Sequence, residues 1–183
     1  PTMPVVFDLF DKIVAGLTFL ADAFGEVTVY TAFGNHGRKD QNRTHKMAAW
    51  VNFDWMLYNM LERHFKACGD KRITITVHDS FDQLFDVYGQ KFLLTHGDRL
   101  GVRGGDGIIG IVGPIIRGAK KVKANYNSMG THIDTLIVGH WHQYTPLKLV
   151  RVNGSLKGYD EYAMSGRFDP EDPVQDMFLV HPR

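Results

Sequence analysis

Apolar residues recur at helical spacing in two segments of the chain. In residues 7–24 they fall at intervals of three and four, and Gly25 follows the last of them. A similar stripe runs through residues 44–65, where Thr44 is a candidate N-cap. Both patterns predict amphipathic helices that pack one face against a core.

Short runs of β-branched and aromatic residues follow these helices and predict strands. The predicted strands are 26–33, 72–77, a hairpin over 84–96 that turns at Gly89-Gln90, the segments DTLIVGH and LKLVRVNGS, and DMFLV near the C-terminus. Residues 100–130 predict one or two short helices. Strands and helices alternate early and strands dominate late, which predicts an α/β fold with packed sheets and outer helices.

Length and composition indicate one globular domain over 1–183, because 183 residues suffice for one well-buried core and are few for two. The net charge of +1 names no partner. The longest apolar stretch, GIIGIVGPII, is about half the length of a membrane span, which predicts no membrane partner. Cys68 is the only cysteine, so no internal disulfide can form; this fits a cytoplasmic location and a buried thiol.

Three predicted strands end in polar residues suited to metal binding, namely GNH at 34–36, HGD at 96–98 and GHWH at 139–142. Ligands of α/β proteins gather at the carboxyl edge of the sheet, so residues remote in sequence can converge there. His140 and His142 would project the same way from an extended segment and could share one site. A single histidine after a strand is more often a satisfied polar group, but three clusters favour a site.

The blocks GNHG, THGD and GHWH, in this order and each after a strand, resemble the last three blocks of the calcineurin-like metallophosphoesterases. The full signature of that family is D-x-H, G-D-x-x-D, G-N-H-[DE], a later G-H or H-G, and G-H-x-H. The resemblance covers residues 26–155, and NGSLKGYDEY resembles phage or prophage members. It implies a layered β-sandwich flanked by helices (α-β-β-α) and a metal-dependent phosphoesterase, with phosphodiesterase or nuclease activity favoured.

The resemblance also implies roles for individual residues. One metal ion would be held by Asn35, His96 and His140, and a second by His142. His36 would act as general acid or stabilise the transition state. The implied chemistry is attack by a bridging hydroxide between two divalent ions, for which Mn, Fe and Zn are all suitable.

Two features depart from the family pattern. Gly37 stands where the family usually has the Asp or Glu that orients the histidine. D-x-H and G-D-x-x-D are absent before Asn35, and Asp8 and Asp11, although spaced D-x-x-D, are interpreted as solvated helix charges. We therefore expect the C-terminal portion of a longer enzyme, incomplete at its N-terminus and impaired in metal binding and hydrolysis.

Basic residues near these blocks are candidates for contact with a phosphate ester substrate, among them Arg38, Arg43 and Lys157. For NGSLKGYDEY the stronger interpretation is structural, a tight turn at Gly154. The basic run RGAKKVKANY would most often be a solvated face, but beside a phosphate site it favours a polyanion such as nucleic acid. The alternative is a non-catalytic phosphate- or nucleic-acid-binding module that has lost half of the metal site.

Overall fold

The computed structural model describes residues 2–40, 42, 45–100 and 110–182. The chain divides into two compact units, an N-terminal unit of Pro1–Gln83 and a C-terminal unit of Leu84–Arg183. A single domain over 1–183 stays a prediction. The proposed N-cap Thr44 and the basic residue Arg43 lie outside the described residues.

The N-terminal unit combines two helices with a pair of parallel strands. Its elements are α1 (Thr2–Phe24), β1 (Val27–Tyr30), a 3₁₀ turn (Ala49–Val51), α2 (Phe53–Cys68) and β2 (Ile73–Thr76). In the parallel pair Val27 lies opposite Ile73. The apolar stripes of both helices pack against the strands in one core that contains Val6, Ala21, Leu57, Leu61, Phe65, Ile73 and Ile75.

Helix α2 begins later than the sequence pattern predicts. Asn52 has an extended backbone, and its side chain accepts a hydrogen bond of 2.8 Å from the backbone N–H of Asp54. This is the N-cap arrangement, so Phe53 is the first helical residue. Cys68 is the last residue of α2 and is exposed, so the expected buried thiol is wrong.

The second sheet has five strands in the order β3-β4-β5-β7-β6. The strands are β3 (Asp82–Val87), β4 (Gln90–Thr95), β5 (Thr135–Val138), β6 (Thr145–Pro146) and β7 (Val150–Val152). β4, β5 and β7 are parallel, and β6 is antiparallel to β7. The parallel strand pair, the mixed five-stranded sheet and the four helices of the described residues confirm the α/β class.

The hairpin of β3 and β4 turns at Tyr88-Gly89, one residue before the predicted Gly89-Gln90. Both turn residues have positive φ, 52° at Tyr88 and 78° at Gly89. Two left-handed residues define the type I′ turn, whose twist matches that of paired strands. Gln90 therefore belongs to β4.

Helices α3 (Val112–Ser128) and α4 (Glu161–Ser165) complete the C-terminal unit. α3 connects the neighbouring parallel strands β4 and β5, as expected for a βαβ crossover. Its buried side joins the strands in a core of Leu93, Leu100, Ile115, Ala119, Ile133, Leu136, Val138, Val150 and Val152. No helix among the described residues is both long and apolar enough to cross a membrane.

The C-terminal segment 169–182 has no regular secondary structure, so the predicted strand DMFLV is wrong. Side chains hold it instead. Asp176 binds Arg151 with two hydrogen bonds of 2.5 and 2.7 Å and accepts a third, of 3.0 Å, from the Tyr144 hydroxyl. The Arg151 guanidinium also lies 4.5 Å from the centre of the Phe178 ring. These side-chain contacts, and not the backbone hydrogen bonds of a strand, therefore hold the segment in place.

Asp176→Asn should destabilise the protein by about 2 kcal/mol, because hydrogen bonds to charged partners contribute most when they are shielded from water. The Asp176 side chain is only 9% exposed. Thermal or urea unfolding would measure the loss. Asp172→Asn on the same segment, at an exposed position, is the matched control and should change stability little.

The same pair predicts a pH dependence. Hydrogen bonds from Arg151 lower the pKa of the Asp176 carboxyl from its ordinary 3.8, burial opposes this, and the bond from Tyr144 adds to it. A carboxylate whose pKa is lowered by folding stabilises fully above its unfolded pKa and loses that contribution as pH falls through the folded pKa. Asp176→Asn should therefore matter at pH 7 and progressively less below pH of about 4. An equal difference at pH 7 and pH 2.5 would contradict this assignment.

Candidate functional site

Two histidines lie together at the carboxyl edge of the second sheet. His96 follows β4, and His140 comes two residues after β5, in which Val138 is paired with Thr95. The parallel pairing continues past the strand ends, because the N–H of Gly139 donates to the carbonyl of His96 at 3.0 Å. The centres of the His96 and His140 rings are 5.1 Å apart, with an edge-to-face orientation. Convergence of these two residues was predicted from their positions after strands.

Gly97 makes this close approach possible. Its φ of +114° is one that L side chains rarely adopt. A Cβ there would also lie 3.1 Å from the Gly139 carbonyl oxygen and 3.2 Å from the His140 Cβ. Glycine is thus required by both conformation and space.

The segment GHWH is not extended, contrary to the prediction. His140 and His142 have left-handed backbones, with φ of 70° and 58°. The chain turns sharply at His140, since the N–H of Trp141 donates to the Gly139 carbonyl at 2.8 Å. Two non-glycine residues in this region within three positions are costly, and such strain concentrates at functional sites. The alternation of strand side chains therefore does not govern these histidines.

His142 has aromatic neighbours on and after α4. Its ring centre is 5.3 Å from that of Tyr162 and 6.1 Å from that of Phe168. Asp160 is also near, and its pKa is lowered by the hydrogen bond from Lys157, by the N–H of Ala163 and, to a lesser extent, by His142. A second metal ion at His142 stays a prediction.

The residues present fit a metal ion in part. Two neighbouring imidazoles after β4 and β5 are suitable ligands for Mn, Fe or Zn. Within the described residues, however, no group of three or more His, Cys, Asp or Glu side chains is arranged to hold an ion. His96 and His140 can thus supply two ligands of one site, and Asn35 as a further ligand stays a prediction.

The loop that carries Asn35 and His36 is fixed by the beginning of α2. Gly34 is bound on both sides, since its N–H donates to Asp54 Oδ2 and its carbonyl accepts from Asn52 Nδ2, each at 2.8 Å. The N–H of Phe53 then donates to the Gly37 carbonyl at 2.6 Å. One helix end therefore determines the conformation of the whole GNHG loop.

Gly37 is explained by the same helix end. A Cβ at this position would lie closer than 3.0 Å to Asn52 Oδ1 and to the carboxyl group of Asp54. No larger side chain fits here without movement of the loop. Where the resembling family has an acidic residue after the histidine, this protein has the carboxylate of Asp54 packed against a glycine.

His36 lines a surface pocket of about 400 Å³ in the N-terminal unit. The other lining residues are Gly37, Asp54 and the apolar Val5, Val6, Leu9, Phe53 and Leu57. Asp54 also influences Tyr58: burial of Tyr58 raises the pKa of its hydroxyl, and the nearby charge of Asp54 raises it further. The sequence analysis did not identify Asp54 as a candidate site residue. The one local feature that could have pointed to it is its position in the first turn of α2, two residues after the N-cap Asn52.

The predicted substrate contacts have structural partners. Arg38 Nε donates to the Asn35 carbonyl at 2.9 Å, so this side chain helps to shape the loop. Lys157 forms an ion pair with Asp160 and lies 5.9 Å from the centre of the Tyr162 ring. Arg43 lies outside the described residues. Contact of any of them with substrate stays a prediction.

The surroundings of Gly154 support the structural interpretation of NGSLKGYDEY. Glycine is needed there because no room exists for a side chain, and not because of its backbone conformation. A Cβ at Gly154 would come closer than 3.0 Å to Val174, both its side chain and its carbonyl oxygen. The neighbouring Asn153 accepts a hydrogen bond of 2.8 Å from the N–H of Asp176. Asn153 and Gly154 thus form the docking place of segment 169–182.

Comparison of the sequence with protein-family models, with curated proteins and with solved structures finds no match.

Gly97→Ala should destabilise the protein by at least about 2 kcal/mol, since it adds backbone strain and a tight contact with Gly139. Gly130→Ala is the matched control, because Gly130 also has a positive φ, of 79°, but no atom within 4 Å of a Cβ. It should cost about 1 kcal/mol. Urea unfolding would compare the two, and equal losses would show that the contact at Gly97 is unimportant.

Proposed function

We propose that this protein is a metal-dependent phosphoric ester hydrolase of the metallophosphoesterase type, with the layered α-β-β-α fold of that family and phosphodiesters as its substrates. The observation that carries the proposal is the pair formed by His96 and His140, two imidazoles on adjacent parallel strand ends. The backbone around the two histidines allows their close approach, because Gly97 has a φ of +114° and His140 is in a left-handed conformation. The ordered blocks GNHG, THGD and GHWH support the same conclusion.

A divalent ion, when bound, neutralises the charge of phosphate oxygens and makes water a better nucleophile. The imidazoles of His96 and His140 would hold such an ion in their neutral form. Trp141 packs against the core and so limits the movement of His140.

His36 is proposed to give a proton to the leaving alkoxide. Histidine exchanges protons readily near neutral pH, and general acids accelerate the loss of poor leaving groups. The pocket that His36 lines has mainly apolar walls. Asp54 fixes the loop through Gly34 and therefore positions His36.

The second candidate is a phosphate- or nucleic-acid-binding module without catalysis. It is favoured by one observation, that the described residues contain no group of three metal-binding acidic, histidine or cysteine side chains. The two functions differ in turnover, since a binding module would show salt-dependent affinity for polyanions and release no product.

Metal binding gives the first test. Calorimetric titration of the 183-residue chain with Zn²⁺ or Mn²⁺ should show at most one ion per chain. His96→Ala and His140→Ala should each weaken binding roughly tenfold or more, because each removes a ligand. His132→Ala, at an exposed position of the same unit, should not. Two tightly bound ions would contradict the expected impairment, and unchanged affinity in both variants would remove the pair from the site.

Hydrolysis gives the second test. With added Mn²⁺ the protein should slowly hydrolyse bis-p-nitrophenyl phosphate and lose this activity on treatment with a chelator. His36→Ala should lower kcat by about 10²-fold or more, the usual contribution of a general acid. His64→Ala, on α2 in the same unit, is the control. A metal-loaded protein that releases no nitrophenol would favour the binding module.

A further inference from the structure

Helix α3 carries an unbalanced basic surface. Its sequence, VGPIIRGAKKVKANYNS, contains four basic residues and no acidic residue. Its buried side is formed by Pro114, Ile115, Gly118 and Ala119, which pack into the core. Most of the positive charge therefore lies on the side that faces solvent.

Three of the four cations form one patch. Arg117, Lys120 and Lys121 are spaced i, i+3 and i+4, so they share a face of the helix, and all three are exposed. The fourth, Lys123, is used internally. Its ammonium donates to the Asp134 carbonyl, and burial lowers its pKa. We call Arg117, Lys120 and Lys121 the α3 patch.

The α3 patch differs from other exposed lysines of this protein. Lys12, Lys66 and Lys157 each have an acidic partner three or four residues away. Across the described part of the chain, none of the three patch residues has such a partner. Like charges at these spacings destabilise a helix by a few tenths of a kcal/mol per pair. A bound polyanion would relieve that repulsion.

The topology brings the patch near the histidine pair. α3 crosses between the parallel strands β4 and β5, so its N-terminal end lies toward the carboxyl edge from which His96 and His140 extend. Arg117 comes five residues after Val112, about 8 Å along the helix axis. Ile111, just before the helix, packs against the same core as Trp141. A chain of phosphates along α3 would thus lead toward that edge.

We propose that the α3 patch binds the phosphate backbone of nucleic acid and guides it toward the His96 and His140 pair. The inference rests on the proposed function only for the destination of the bound strand. A linear row of cations matches a linear polyanion, and exposed polar groups at Asn125 and Ser128 continue the row. An anionic membrane fits less well, because helices that bind membranes insert an apolar face, and the apolar face of α3 is buried in the core.

Charge reversal in the full chain tests the proposal. Fluorescence anisotropy with a labelled single-stranded oligonucleotide would give the affinity over a series of salt concentrations. Lys120→Glu/Lys121→Glu should weaken binding at least tenfold at low salt and reduce the slope of log K against log salt by roughly 1.5, since each phosphate contact contributes about 0.7. Lys91→Glu/Lys148→Glu makes the same change in net charge at exposed positions of the same unit and should have a much smaller effect.

The outcomes separate this inference from the proposed function. Hydrolysis of bis-p-nitrophenyl phosphate should be the same in the α3 variant and the native protein, because so small an ester does not reach the patch. Loss of oligonucleotide binding in that variant would support the patch even if no hydrolysis occurs in either protein. Equal binding by the two double variants would overturn it, as would binding to phosphatidylserine vesicles without binding to the oligonucleotide. If charge reversal prevents folding, Lys120→Gln/Lys121→Gln replaces it, because this variant adds no acid to the helix. It should show a smaller loss of oligonucleotide binding.

Discussion

The parallel hydrogen bonding between β4 and β5 determines where His96 and His140 of the C-terminal unit lie. It pairs Thr95 with Val138 and continues to the contact between the Gly139 N–H and the His96 carbonyl. That last bond brings two backbones together at the point where both strands leave the sheet. The imidazoles of His96 and His140 are therefore held close to each other. A shift of one residue in this register would turn alternate side chains to the opposite face and separate the rings.

Each unit contains a glycine that no other residue replaces without cost, and the physical reasons differ. Gly97 needs a backbone conformation that other residues adopt only under strain, whereas Gly37 needs space, because Asn52 and Asp54 occupy the place of its side chain. The difference matters for how each loop is held. The loop after β4 is fixed by its own chain and its neighbour in the sheet, while the GNHG loop is fixed from outside, by the first turn of α2.

Much of the fold follows from periodicity, and the positions of His96 and His140 follow from strand ends. The remainder depends on contacts remote in sequence. The start of α2 required knowledge that Asn52 caps it, and segment 169–182 required the pairing of Asp176 with Arg151. The left-handed backbone of GHWH has only a weak signal in residue type, because histidine is enriched at positive φ among non-glycine residues but still adopts it uncommonly. Asp54 was missed since its role arises from a fold that places α2 against the GNHG loop.

The overall net charge of +1 conceals how charge is distributed within the C-terminal unit. Two of the four acidic residues after α4 are used for structure: Glu171 accepts from the Tyr144 N–H, and Asp176 binds Arg151. Asp160 likewise caps α4 through the N–H of Ala163. Those negative charges are therefore committed to partners in their own part of the chain, whereas the three cations of the α3 patch face solvent. A nearly neutral protein can in this way present a strongly basic helix, because neutrality of the whole does not require neutrality of each surface. The field that a polyanion meets is set by the nearest exposed charges, since salt at physiological strength screens charges beyond about 8 Å.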